Sequence, residues 1–141
     1  MKKQLGAILL VLTMLTLVSC SQTLNPETIE SEIAQTEAEY IKISAAEAKG
    51  MIDSEDVVIL DVRTTEEFEE AHIEGALLIP DYEIEILAEE MIPAKETTIL
   101  VYCRTGRRSE IASKTLIEMG YKNVYDFGGI VDWSYETTSG K

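Results

Sequence analysis

The chain has 141 residues, 45% of them hydrophobic, which suits one globular domain and leaves little over for a second. Acidic residues outnumber basic ones 26 to 12, giving a formal net charge of −14. A surface of that sign repels nucleic acid and argues against general polyanion binding, so any anion-binding function has to be local.

Residues 1–19 read as a secretory signal peptide. MKKQLGAILLVLTMLTLVSC opens with Lys2 and Lys3, and a mostly apolar run from Leu5 to Val18 follows. That run is shorter than the roughly 20 apolar residues of a membrane-spanning helix. Residues 17–20, Leu-Val-Ser-Cys, resemble a bacterial lipobox. The resemblance implies cleavage before Cys20, diacylation of that cysteine, and a protein held outside the cytoplasm on a bacterial membrane by its lipid anchor. Cleavage removes two lysines and no acid, so the mature chain is more negative still. Residues 20–39 are polar and acidic, with apolar residues too sparse for a core, and are expected to be a tether.

From Tyr40 the pattern alternates between β and α. YIKI is a short strand, and Ser44-Ala45-Ala46-Glu47 has the spacing of a capping box that opens a helix to about Ile52. VVILDV, residues 57–62, is an apolar run typical of a strand covered on both faces. TEEFEEA predicts a short helix, ALLIP a strand stopped by Pro80, and YEIEILAEEM a helix ending before Pro93. TTILVYC, residues 97–103, is another β-branched strand. SEIASKTLIEMG predicts a helix from near Ser109, with Ile111, Leu116 and Met119 as its apolar stripe and Gly120 at C′. NVYDF is a last strand, and GGIVDW begins a short closing helix. The expected fold is therefore α/β, a mostly parallel sheet of about five strands with helices on both faces, in a single domain over residues 40–136 with a C-terminal tail at 137–141.

The chemistry concentrates in one place. The chain has four arginines, and Arg104, Arg107 and Arg108 lie within five residues of Cys103. With Cys20 taken by lipid, Cys103 has no partner in the chain, which excludes a structural disulfide and a CxxC redox pair. Cys103 ends a strand, and in open parallel sheets ligands bind beyond the C-terminal strand ends. A loop over residues 104–108 leading into a helix would point N–H groups and the helix dipole at the thiol, favouring thiolate. Gly106 allows that loop a positive φ. Arg108, where loop meets helix, ranks first as the inward-facing cation, then Arg104, then Arg107.

Three stretches together resemble the rhodanese family over roughly residues 40–135: LDVRTTEEFEEAHIEGALLIP at 60–80, CRTGRRS at 103–109 and FGGIVDW at 127–133. Two positions depart from the family pattern. Ala71 stands before His72 where glycine is usual, and Leu78 stands where a polar residue often precedes Ile-Pro. The resemblance implies a single-domain sulfurtransferase that moves sulfane sulfur from thiosulfate or a related anion, through a Cys103 persulfide, to cyanide, a thiol or a protein acceptor. Cys103 would be the nucleophile. Arg104, Thr105, Gly106, Arg107 and Arg108 would form the substrate cradle.

Other residues take structural readings. Asp61 and Arg63 are expected to form buried hydrogen bonds or an ion pair, with Glu67 or Glu70 as further candidates. His72 is the only histidine and is read as structural, and Trp133 as core. One histidine and one available thiol make no tetrahedral metal set, and no cofactor is expected. Two further functions are weighed. A phosphatase or arsenate reductase on this fold needs an arginine six residues after the cysteine, where this chain has Ser109. A non-enzymatic persulfide carrier or sensor at the membrane surface would keep the same cysteine loop.

Overall fold

The computed structural model describes residues 39–141. The signal peptide, the lipobox with Cys20 and nearly all of the tether lie outside the described residues.

The architecture is α/β, with one five-stranded parallel sheet in the order β1-β5-β4-β2-β3. The strands are β1 (Ile41–Lys42), β2 (Val58–Asp61), β3 (Leu77–Leu78), β4 (Thr98–Cys103) and β5 (Asn123–Gly129). The helices are α1 (Ala45–Ser54), α2 (Thr65–Glu70), α3 (Ile84–Met91) and α4 (Arg107–Glu118).

The two-residue alternation of β4 sorts its side chains onto two cores. Ile99, Val101 and Cys103 belong to the core under α3 and α4, with Ala88, Ala112 and Leu116. Leu100 and Tyr102 belong to the opposite core, with Ala48 of α1, Phe127 and Trp133. Parity along one strand therefore puts the Cys103 side chain beneath the helix that follows it.

Both early helices open on capping boxes. Ser44 accepts from the Glu47 N–H while the Glu47 carboxylate accepts from the Ser44 N–H, as its sequence spacing requires. Thr64 and Glu67 do the same at α2.

Several boundaries differ from the sequence expectation. The helix α1 runs on to Ser54. A 3-10 turn at Asp81–Glu83 precedes α3, where a continuous helix was expected. The helix α4 begins at Arg107, two residues early, because Gly106 takes φ +100° and turns the chain straight into it. Arg107 and Arg108 are thus first-turn helix residues. Ile111 is half exposed, and the buried face of α4 is Ser109, Ala112, Ser113 and Leu116. Gly120 has the positive φ, +90°, expected of it after the helix. The closing helix is a single 3-10 turn, Ile130–Asp132, because β5 continues through Gly129.

The last residues fold back onto the domain. Thr138 and His72 exchange backbone hydrogen bonds of 2.8 Å in an antiparallel bridge, and the Gly140 N–H donates to the Glu69 carbonyl.

Candidate active site

The site forms where β4 ends. Cys103 is 1% exposed. Its Sγ accepts a hydrogen bond from the Gly106 N–H at 3.1 Å. The loop between strand and helix is only Arg104-Thr105-Gly106, and α4, twelve residues long, starts directly after it. A helix start carries unpaired N–H groups and partial positive charge, a setting that suits an anion.

Two glycines of β5 set this geometry. Between Val101 and Cys103 the pairing with β5 shifts, so that Val101 faces Asp126 while Cys103 faces Gly129. The additional β5 residue is accommodated at Gly128, which has φ +86° and whose N–H donates to Asp126 Oδ1. At Gly129 a Cβ would stand 2.3 Å from the Arg104 carbonyl oxygen and 2.7 Å from the Thr105 Cα. The loop can occupy its position only because that residue has no side chain. Ser109, buried, ties the assembly together, its Oγ donating within reach of both the Gly106 and Gly128 carbonyls. In the sequence the GG pair reads only as part of a family signature. The register shift that explains it is a tertiary fact.

The three arginines near Cys103 have different surroundings. Arg108 makes a bidentate pair with Glu67, at 2.7 and 2.8 Å. The Arg108 hydrogen bond, opposed in part by burial, holds the Glu67 carboxyl down to about 2, and the same contact raises the Arg108 guanidinium. Glu67 thus joins α2 to α4 beside the loop. Sequence reasoning offered it to Arg63 and overlooked its Thr64-x-x-Glu67 capping signal. Arg107 lies on the exposed side of the first turn. Arg104 is exposed and lines a cavity of about 520 Å³, together with Arg63, Glu70 and Tyr135.

The neighbouring motif braces the floor. Arg63 and Asp61 form a buried ion pair at 2.6 Å, and Arg63 Nη2 also donates to the Ala71 carbonyl. Burial works against the Arg63 charge, but the Asp61 contact outweighs it and the guanidinium is raised. Burial, then the Asp61 charge, pushes the Tyr102 hydroxyl up, and it accepts the Ile73 N–H. Ala71 has φ −163°, an extended backbone open to any residue, so the departure from glycine there carries no strain. The His72 ring stacks on Phe68 at 3.7 Å, with Nδ1 2.7 Å from the Phe68 carbonyl. Leu78 sits in β3 at the sheet edge. Among the described residues no group of histidine, cysteine and carboxylate side chains is arranged to hold a metal.

A family model described as Rhodanese-like domain matches residues 44–136. A Bacillus subtilis (strain 168) protein named "Putative sulfur carrier protein YrkF" is 41% identical over 98 residues, covering 68% of this chain and 52% of that protein, so the chain spans about half of its length. Thiosulfate sulfurtransferase PspE of Escherichia coli (strain K12) is 40% identical over 73 residues, covering 52% of this chain and 70% of that one. Thiosulfate sulfurtransferase GlpE of Coxiella burnetii (strain RSA 493 / Nine Mile phase I) is 37% identical over 95 residues, covering 67% and 87%. Among solved structures, one described as rhodanese with anions from E. coli has a TM-score of 0.57 at 35% identity, over 60% of this chain and all of that one. A rhodanese-related protein from Thermoplasma volcanium has a TM-score of 0.61 at 28% identity, over 70% and 98%. The match runs through the cysteine strand, the loop, the glycine pair and the ion-paired motif, and the chain belongs to the rhodanese-like domain family.

Proposed function

We propose that the chain is a sulfurtransferase working through a persulfide on Cys103. The observation that carries this reading is the Gly106 N–H directed at Cys103 Sγ, at the head of α4. Donors already in place at the sulfur stabilise thiolate, and then the terminal sulfur of a persulfide, without a general base. The thiolate attacks the outer sulfur of thiosulfate. A new S–S bond forms to Sγ, the old one breaks, and its electron pair leaves with sulfite. A nucleophilic acceptor then takes the outer sulfur and returns the electron pair of the Sγ–S bond to Cys103.

The test is intact mass spectrometry of the full-length chain after thiosulfate treatment. One added sulfur is expected, removable by cyanide and absent in Cys103→Ser, because the serine hydroxyl is too weakly acidic to serve as this nucleophile. Sulfur uptake by the serine variant would overturn the mechanism. The name of the B. subtilis relative favours a second reading, a carrier that hands its persulfide to one partner. Multiple turnover with several acceptors distinguishes the enzyme from the carrier.

The N-terminal motif supports anchoring at the membrane surface outside the cytoplasm, with Cys20 as the lipidated terminus. Cys20→Ala should accumulate as an uncleaved precursor without acyl mass. Wild-type protein recovered free of lipid would refute the anchor.

A further inference from the structure

Asp126 is a carboxylate where the fold calls for an apolar side chain. Alternation along β5 puts Val124 in the core under α3 and α4, while Tyr125 and Phe127 pack against the opposite core. Asp126 therefore stands on the α4 side, opposite Val101, which belongs to that same core. It is 3% exposed and takes part in no ion pair among the described residues. A buried carboxylate costs stability unless it is hydrogen-bonded, and an apolar residue would continue the pattern without that cost. With Thr105, Gly106 and Arg107, Asp126 lines a cavity of about 380 Å³ beside the loop.

The hydrogen bonds that begin at Asp126 end at the sulfur. Its Oδ1 accepts the Gly128 N–H at 3.0 Å, a backbone donor within the bulge. The Gly128 carbonyl accepts from Ser109 Oγ at 3.2 Å, and the same hydroxyl lies 3.0 Å from the Gly106 carbonyl. One hydroxyl proton shared between two carbonyls ties the bulge to the loop. The two backbones also touch, since a Cβ on Gly106 would stand 3.5 Å from Gly128 Cα. The Gly106 carbonyl accepts the Glu110 N–H as well, so the start of α4 is held at the same atom. The N–H of that same Gly106 donates to Cys103 Sγ at 3.1 Å.

We propose that Asp126 is a positioning residue for sulfur transfer: acting through Gly128 and Ser109, it holds the Gly106 N–H on Cys103 Sγ. The assignment rests on the persulfide reading above and adds no covalent step to it. The effect belongs to the Oδ1 acceptor and not to the charge. Without that acceptor the Gly128 N–H loses its partner, the bulge shifts, and Gly106 moves with it. The N–H···S bond that stabilises the thiolate and the terminal sulfur then weakens.

The test uses the full-length chain with Asp126→Ala, Asp126→Val, Asp126→Asn and Ser109→Ala, and the double variant of Asp126→Ala with Ser109→Ala. Asp126→Val lacks the acceptor and suits the apolar face, so it carries the alanine expectation if alanine does not fold. Sulfur loading is followed in single turnover at varied thiosulfate, with rates referred to the folded fraction. Amide hydrogen exchange at Gly106 is read by NMR in the same proteins.

Asp126→Ala should lower the limiting loading rate about tenfold, the scale of one lost hydrogen bond, with the half-maximal thiosulfate concentration within about twofold of wild type. Asp126→Asn keeps an oxygen for the Gly128 N–H and should load at close to the wild-type rate. Exchange at Gly106 should quicken in the alanine and valine variants and not in the asparagine one. Ser109→Ala cuts the same path further along, so the double variant should be little slower than either single one. A carboxylate that only stabilises the fold would leave the limiting rate and the Gly106 amide of the folded protein as in wild type, and that result overturns the proposal. So does an asparagine variant as slow as alanine, which would make the charge responsible, and so do losses that multiply in the double variant. Wild type that takes up no sulfur brings down the persulfide reading, and Gly106 exchange in the variants then still decides whether Asp126 holds the loop. Wild-type loading in every variant brings down this inference alone.

Discussion

Replacing Glu67 by glutamine keeps an oxygen to accept the Thr64 N–H and removes the charge that holds Arg108. The pair it breaks consists of two charge-assisted bonds, 2.7 and 2.8 Å long. Hydrogen bonds to charged groups are worth about 1.5–3 kcal/mol. The Arg108 and Glu67 side chains are 27% and 26% exposed, so solvent should reduce the net contribution of the pair to about 1–2 kcal/mol. The pH dependence has a definite sign. Folding lowers the Glu67 carboxyl from 4.5 to about 2, chiefly through Arg108. A depressed carboxyl stabilises the fold above its unfolded value and loses that contribution as pH falls through the folded one. Urea unfolding should therefore find Glu67→Gln less stable than wild type by about 1–2 kcal/mol at pH 7, with the gap unchanged at pH 5.5 and shrinking from about 4.5 toward 2. A gap of equal size at pH 7 and pH 3.5 would show that shape rather than charge is at work. No gap at pH 7 would mean that the pair contributes nothing to stability.

Other substitutions probe the loop. Arg104→Ala should lower kcat/KM for thiosulfate by about one to two powers of ten, the equivalent of a charged hydrogen bond of about 1.5–3 kcal/mol, and by less for an uncharged donor. Steady-state kinetics with both donors checks this, and wild-type values with thiosulfate would reduce Arg104 to surface charge. Gly129→Ala drives a Cβ into the Arg104 and Thr105 backbone, so unfolding should show a loss of about 3 kcal/mol or more, together with impaired sulfur loading. A variant of wild-type stability would contradict the close approach. Gly106→Ala imposes a left-handed backbone on an L-residue, at about 1–2 kcal/mol, and a loss well below that range would mean that the loop relaxes elsewhere.

How far sequence reasoning reached depends on the range of the interaction. Short-range signals carried over to the fold. Ser44-x-x-Glu47 is a capping box, TILVYC is a strand, and Gly120 closes its helix at positive φ. Errors of two or three residues arose where a neighbour in space decides the boundary. The helix α4 starts at Arg107 because Gly106 turns the chain there, against Gly128 of another strand. Ile111 fits a helical stripe on paper, yet it faces out while Ser113 faces in, since β4 and β5 fix which side of α4 is covered. The cavity wall was the least legible part. Tyr135 and Thr137 sit in a polar terminal stretch with no periodicity, and tertiary contacts, among them the pairing of Thr138 with His72 and the bond from Gly140 to Glu69, bring them to the cavity.

The arginines around Cys103 show what proximity in sequence can and cannot establish. Sequence reasoning placed Arg108 first as the inward cation because it stands where loop meets helix. That position also puts it within reach of α2, and the Glu67 carboxylate accepts from both of its Nη groups. Its charge is largely spent on holding two helices together. Arg107, one residue earlier, lies 100° away around α4, a rotation that leaves it on the exposed side. Arg104 precedes the helix, so neither capture by Glu67 nor rotation onto the outer face applies to it. It remains beside the cavity with its charge available. In a chain of net charge −14, long-range attraction cannot bring an anion to the sulfur, and screening limits the repulsion to about 10 Å at 0.1 M salt. Inside that distance the positive charge is local: among the described residues, the guanidinium groups of Arg104 and Arg107, which form no ion pair, the first N–H groups of α4 and the Gly106 amide. Such a site favours a small anion that can reach the sulfur over a large polyanion, which would meet the acidic surface first.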